Sequence, residues 1–246
     1  MEANRDAARR SGQAVSHAAK GPVVTEQGNG TAGQAMLDTH RLEAFSDGVL
    51  AVIITIMALG LKVPSAPTWP AVAKDLPQLL AFALSFVFVA IYWNNHHHLL
   101  RATRIISGGV MWANMALLFW LALVPVLTGW MASAPTHSLP AAFYGMDAAA
   151  AAIAYGILVR VIIAVNGSTS AIATAIGSDV KGNASIVLYA LAIGLAFMSP
   201  YIAYALYVTV AVIWIIPDRR LFGQQGTRRR GFVTARPEDG GQTPQA

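Results

Sequence analysis

The sequence predicts an all-α integral membrane protein with six transmembrane helices per chain. Three observations carry that expectation. The 246 residues are 55% hydrophobic and 12% charged, about half the charged share of an ordinary soluble domain. The apolar residues collect into runs of about twenty, the length that crosses the hydrocarbon core of a bilayer. The basic residues are also unevenly placed: with six crossings, 15 of the 17 Lys and Arg residues share one side, as the positive-inside bias requires.

Residues 1–38 are rich in Ala, Gly, Gln, Asn and Ser and read as a disordered cytoplasmic tail. No apolar core follows their arginines, so they do not form a signal peptide. The spanning segments follow at about 43–62, 76–95, 106–130 and 141–163. Pro125 falls late in the third, where it favours a kink. The alanines and glycines of the fourth suit close helix packing. The last apolar stretch, 184–216, would be about 50 Å long as one helix, too long for a bilayer of about 30 Å. Ser199-Pro200 divides it into 184–199 and 201–216. Residues 39–220 thus form one membrane domain, and 221–246 a second disordered cytoplasmic tail.

The charge distribution favours that count. Five spans would carry Arg219, Arg220 and Arg228 to Arg230 across the membrane, whereas six keep both termini in the cytoplasm. The net charge of +5 then reflects anchoring at helix ends rather than a nucleic-acid surface. With no cysteine, disulfides, thiolate metal sites and cysteine nucleophiles are excluded. No GxxxxGK[ST] loop is present, so ATP does not drive the protein through that motif.

Two polar clusters reach the same depth. Arg41, Glu43, Ser46 and Asp47 sit at the cytoplasmic start of helix 1, and Trp93, Asn94, Asn95, His96, His97 and His98 at the cytoplasmic end of helix 2. A carboxylate there needs partners, which Arg41, Trp93 and the histidines offer. A capped helix beside an interfacial tryptophan is the simpler alternative. The three histidines point about 100° apart on a helix, so no metal site is expected. Above Asp47, Val52, Ile56 and Leu59 follow a 0, +4, +7 spacing. They form one apolar stripe, a packing face or, in a symmetric assembly, a pore lining. Thr55 is the hydroxyl among them. Asp147 and Arg160 are the charges of the fourth span: a paired or cation-attracting carboxylate, and a basic anchor that snorkels.

The stretch Arg41 to Pro64, RLEAFSDGVLAVIITIMALGLKVP, resembles the first helix of the bacterial branch of the endosomal/lysosomal potassium channel family. Arg41, Phe45, Ser46 and Asp47 match that family's Arg-x-x-x-Phe-Ser-Asp signature. Trp93, His96 and His97, within SFVFVAIYWNNHHHL, match a second. The resemblance covers about residues 38–220. It implies a K⁺-permeable channel, not an enzyme, without cofactor, in a prokaryotic cell membrane. It implies a homotetramer whose first helices surround one pore, without the TVGYG filter of ordinary potassium channels. Val52, Ile56 and Leu59 then become the constriction and Thr55 a polar layer. Arg41, Phe45, Ser46, Asp47, Trp93, His96 and His97 become the cluster that positions helix 1. The family usually carries isoleucine or a similarly large residue where this chain has Val52. The expected partners are further copies of the chain, the lipid bilayer and K⁺, and no nucleic acid.

The alternatives are a secondary transporter and a membrane enzyme. A transporter favours charges or broken helices at mid-membrane, whereas helix 1 has an unbroken apolar core. An enzyme would have to combine the histidines with Asn114 or with Ser168, Ser170 and Asp179, which form no convincing constellation.

Overall fold

In the computed structural model the described residues are 27–167 and 180–215, with side chains from 37 and from 181 onward. They form six helices: α1 Gln27–Leu59, α2 Trp69–Ala102, α3 Gly108–Ser133, α4 Ser138–Asn166, α5 Val180–Ala196 and α6 Pro200–Ile215. The chain divides into two compact units, Met1–Gln34 and Ala35–Ala246. The apolar part of α1 and all later helices belong to the second. Among the described residues, four helices are long and apolar enough to cross a membrane: Leu37–Leu59 of α1, then α2, α3 and α4. The fold is thus an all-α, multi-pass membrane fold.

The helices overrun the apolar segments that announce them. Residues 27–38, assigned to a tail by composition, lie in α1, and α2 runs from Trp69 to Ala102 instead of 76–95. Hydropathy finds only the stretch that suits lipid, whereas backbone hydrogen bonding continues into the polar interface. The remaining tail residues, 1–26 and 221–246, the end of the predicted membrane domain, 216–220, and the loop carrying Ser168, Ser170 and Asp179 lie outside the described residues.

Local chemistry sets several ends. Gly60 N–H closes on the Ile56 and Met57 carbonyls (3.2 and 3.1 Å) as α1 stops. Ser107 caps α3 by accepting from Val110 N–H at 3.3 Å. Pro200 opens α6 at a position where its missing N–H costs no hydrogen bond, and the predicted break before it is present. Asn166, the last residue of α4, accepts from the Arg104 and Ile105 N–H groups, each at 3.0 Å. Its amide also donates to Ile105 O at 3.2 Å, so the α2–α3 link is tied to the end of α4. Gly167 follows with φ +93 and ψ 148, a positive-φ conformation that favours glycine.

The packing centre is α4, which lies against α3, α5 and α6, while α2 lies against α3 and α6. The face α4 buries is mostly small: Ala141, Gly145, Ala148, Ala151 and Ala154. Lipid offers no hydrophobic drive between helices, so close backbone approach and dispersion hold such a bundle. Gly145 marks the tightest point. A Cβ there would collide with the Tyr207 hydroxyl and meet Ile193 Cγ1 at 3.0 Å. That hydroxyl donates to the Ala141 carbonyl at 2.8 Å. Gly145→Ala is therefore expected to push α6 off α4 and destabilise the bundle by about 1–3 kcal/mol, read as a lower melting temperature in detergent.

A buried polar knot joins α2, α3 and α4. The Thr128 hydroxyl lies 2.7 Å from both Val124 O and Ser85 Oγ. Ser85 in turn lies 3.2 Å from the Tyr144 hydroxyl. The outer surface is apolar instead, with Leu80, Phe86, Trp112, Phe119 and Val126 all exposed, as expected where lipid is the solvent.

Candidate functional site: the two faces of the first helix

The 3.6-residue repeat divides α1 into two faces. Leu42, Ser46, Leu50, Ile53 and Met57 fall on one, and all are buried. Arg41, Phe45, Val52, Thr55, Ile56 and Leu59 fall on the other, and all are exposed. The contrast is sharp: Val52, Ile56 and Leu59 are 54%, 50% and 84% exposed, against 1%, 4% and 5% for Leu50, Ile53 and Met57. The stripe singled out from sequence is therefore not a packing face within the chain. Thr55 donates its hydroxyl proton to the Val52 carbonyl at 2.8 Å. Its oxygen lone pairs remain available on the exposed face.

The buried face is fixed at both ends. Where the chain leaves α1, the Gln78 amide of α2 donates to Gly60 O at 2.6 Å, and its carbonyl faces Lys62 N–H at 3.4 Å. At the other end a chain of hydrogen bonds crosses three helices. His96 Nε2 of α2 meets Asn114 Oδ1 of α3 at 2.6 Å. The Asn114 amide donates to Ser46 Oγ at 2.9 Å, and Ser46 donates to Leu42 O at 2.8 Å. The direction is forced. Ser46 has spent its only proton, so it accepts from the Asn114 NH₂, which leaves the Asn114 carbonyl to accept from His96. The neutral imidazole must then carry its hydrogen on Nε2. His96 Nδ1 is left buried without a partner among the described residues.

Beside this chain runs a second, ionic layer. Trp93 Nε1–H donates to Asp47 Oδ1 at 3.0 Å. The indole stacks on His97, with ring centroids 5.7 Å apart and an interplanar angle of 22°. His97 Nδ1 lies 2.9 Å from Glu43 Oε1, without hydrogen-bond alignment. Glu43, Asp47 and His97 each place one donor atom within 4.8 Å of the others. Of the described residues these come nearest to a metal-ligand set, with one Asp47 oxygen already accepting from Trp93. The convergence depends on α1 meeting α2, which residue spacing along either helix does not reveal.

Of the cluster expected from sequence, Ser46, Asp47, Trp93, His96 and His97 come together. Arg41 and Phe45 do not join them within one chain. They stand on the exposed face, in line with Val52 and Leu59. The member that sequence reasoning left out of this cluster is Asn114, weighed there only as a partner of the histidines in an enzyme. It is wholly buried on α3 and joins the two clusters. Its one signal was an amide amid the apolar run VMWANMALLFW, since a lone polar group in lipid requires a partner.

Comparison with known proteins places the chain among its relatives. Residues 41–125 match the family model described as endosomal/lysosomal potassium channel TMEM175. The chain is 49% identical over 181 residues to a potassium channel of Chryseobacterium sp. (strain P1-3), covering 74% of this chain and 94% of the relative. It is 32% identical over 128 residues to a potassium channel of Streptomyces collinus, 49% of this chain and 62% of that one. In structure it resembles the crystallised lysosomal potassium-selective channel TMEM175 homolog from Chamaesiphon minutus. The TM-score is 0.64 at 26% identity, covering 74% of this chain and 98% of the other. By the extent of the Chryseobacterium match, this chain belongs to the TMEM175 potassium-channel family.

Proposed function

We propose that the chain is a potassium-permeable channel that conducts passively along the exposed face of α1. The observation that carries this reading is the uncovered stripe of Val52, Ile56 and Leu59 on a helix whose opposite face is anchored. Packed around a fourfold axis, four such stripes form stacked apolar rings. A narrow ring strips water from a cation and returns no ligands, so conduction requires the ring to widen or hydrate. The four Thr55 oxygens add a polar layer, because their protons are bonded back into the helix. Arg41 and Phe45 stand at the mouth of the same pathway.

The Arg-x-x-x-Phe-Ser-Asp stretch then has two tasks. Ser46 and Asp47 hold the helix to α2 and α3, with Trp93, His96 and His97 as their partners, while Arg41 and Phe45 face the pathway. A homotetramer is the simplest assembly that covers the stripe. On this reading α5 and α6 also cross the bilayer. At 17 and 16 residues they are short, and α5 begins at the edge of the described residues. The count of six agrees with the positive-inside distribution, which puts both termini in the cytoplasm of a prokaryotic cell, with 1–38 and 221–246 as flanking cytoplasmic segments and 39–220 as the channel domain.

The test is flux through the purified protein in liposomes. Under a KCl gradient the expected result is K⁺ current without ATP or a coupled ion, reversing near the K⁺ potential. Saturable flux that requires a second ion would replace this reading with a secondary transporter.

A further inference from the structure

A cavity of about 390 Å³ opens between α2, α4, α5 and α6, and no residue of α1 lines it. Its walls are apolar and aromatic, including Phe88, Tyr92, Ile153, Tyr189 and Trp214. Its polar groups are Asn95, Arg160, Asn183 and Ser185, and they gather at one end of the bundle. Arg160 lies about 9 Å, less than two turns, from the end of α4 at Asn166. Asn95 lies near the C-terminal end of α2, Asn183 near the start of α5 and Trp214 near the end of α6. Ser185 is committed to the protein, donating to Lys181 O and accepting from the Trp214 indole, each at 2.8 Å. Arg160 is exposed, and no ion pair holds it among the described residues.

We infer that this cavity binds one anionic phospholipid from the surrounding leaflet, with the phosphate on Arg160 and the upper acyl chain between the aromatic walls. Charge complementarity favours that occupant. A guanidinium near the membrane interface needs an anion, and its planar fork fits a phosphate with two parallel hydrogen bonds. The Asn183 amide stands at the same rim, as does that of Asn95, which also donates to Ile91 O at 2.8 Å. Basic pockets between transmembrane helices are a known form of lipid headgroup site. The cavity is too apolar for a free hydrophilic anion and too polar at its rim to remain lipid-lined without a headgroup. Because α1 takes no part, occupancy does not depend on whether ions move along that helix.

The test is native mass spectrometry of the full chain released from vesicles of equal phosphatidylglycerol and phosphatidylcholine. The intact protein is expected to retain phosphatidylglycerol preferentially. Arg160→Gln should reduce that adduct at least about fivefold by removing the fork. Gly156 lines the cavity, and a Cβ on it meets nothing within 4 Å. Gly156→Leu should therefore fill the space without straining the bundle and exclude the lipid while Arg160 remains. Arg104→Gln, a basic residue at the same end but outside the cavity lining, should bind as the intact protein does. Unchanged binding in Arg160→Gln or in Gly156→Leu overturns the assignment. So does an equal loss in Arg104→Gln, which would reduce the effect to general surface charge.

Discussion

Ile56→Asn is expected to raise resting cation flux through the reconstituted protein at least about tenfold, while Val52→Asn raises it less. Both side chains stand on the exposed face of α1, near half exposure, so neither change leaves a hole in the subunit core. The effect comes from hydration. An apolar ring too narrow for a hydrated ion empties of water, and an amide on each subunit gives water and cations partners at that level. The ranking follows from size. Val52 is a methylene smaller than isoleucine, so in the proposed fourfold assembly its ring is the wider one, and closure falls more heavily on Ile56. Flux by a potassium-sensitive dye under a K⁺ gradient, with melting temperature as a folding control, measures this directly. A larger rise at Val52 would place the tightest ring at the first layer instead. Unchanged flux at both positions would remove the constriction from this stripe.

What was legible in the sequence follows from the kind of constraint each feature answers. Bilayer thickness acts on composition, so the apolar segments and the break at Pro200 could be read before any packing was known. Helical periodicity placed Val52, Ile56 and Leu59 on one stripe, but not whether that stripe met protein or stood free. Only the opposite face, with Leu50, Ile53 and Met57 buried, decides it. The same periodicity explains the separation of Arg41 and Phe45 from Ser46. They lie on the Val52 face, so sharing a short signature with Ser46 and Asp47 does not bring them to α2. Helix ends were the weak point. Nothing in a hydropathy profile says that α2 persists to Ala102, because hydrogen bonds within the helix continue past the lipid. The linking role of Asn114 lay beyond sequence reasoning for a different reason. Its partners come from two other helices, and that meeting is a property of the bundle.

Asn114 therefore carries the second large expected effect. Asn114→Leu keeps the number and branching of side-chain heavy atoms but deletes both the donor to Ser46 Oγ and the acceptor for His96 Nε2. Hydrogen bonds between transmembrane helices average about 0.6 kcal/mol and reach about 1.7. Here the loss also strands a buried imidazole whose Nδ1 already lacks a partner, and an orphaned buried donor costs about 1–3 kcal/mol. The expected destabilisation is about 2–4 kcal/mol, seen as a lower melting temperature. A double-mutant cycle separates the network from simple packing. Ser46→Ala removes one arm, and after Asn114→Leu it should cost less than it does alone, by about 0.5–1.5 kcal/mol. Full additivity would mean that the Ser46–Asn114 bond contributes nothing. Function supplies an independent readout, because this chain and Gln78 hold the two ends of the buried face of α1. Freed at one end, the helix can rotate, and each rotation moves Ile56 and Leu59 relative to the pathway. Asn114→Leu should accordingly change resting flux although its side chain lies on the far side of α1 from Val52. A variant that melts lower yet conducts as the intact channel does would show that Asn114 supports the bundle without setting the orientation of α1.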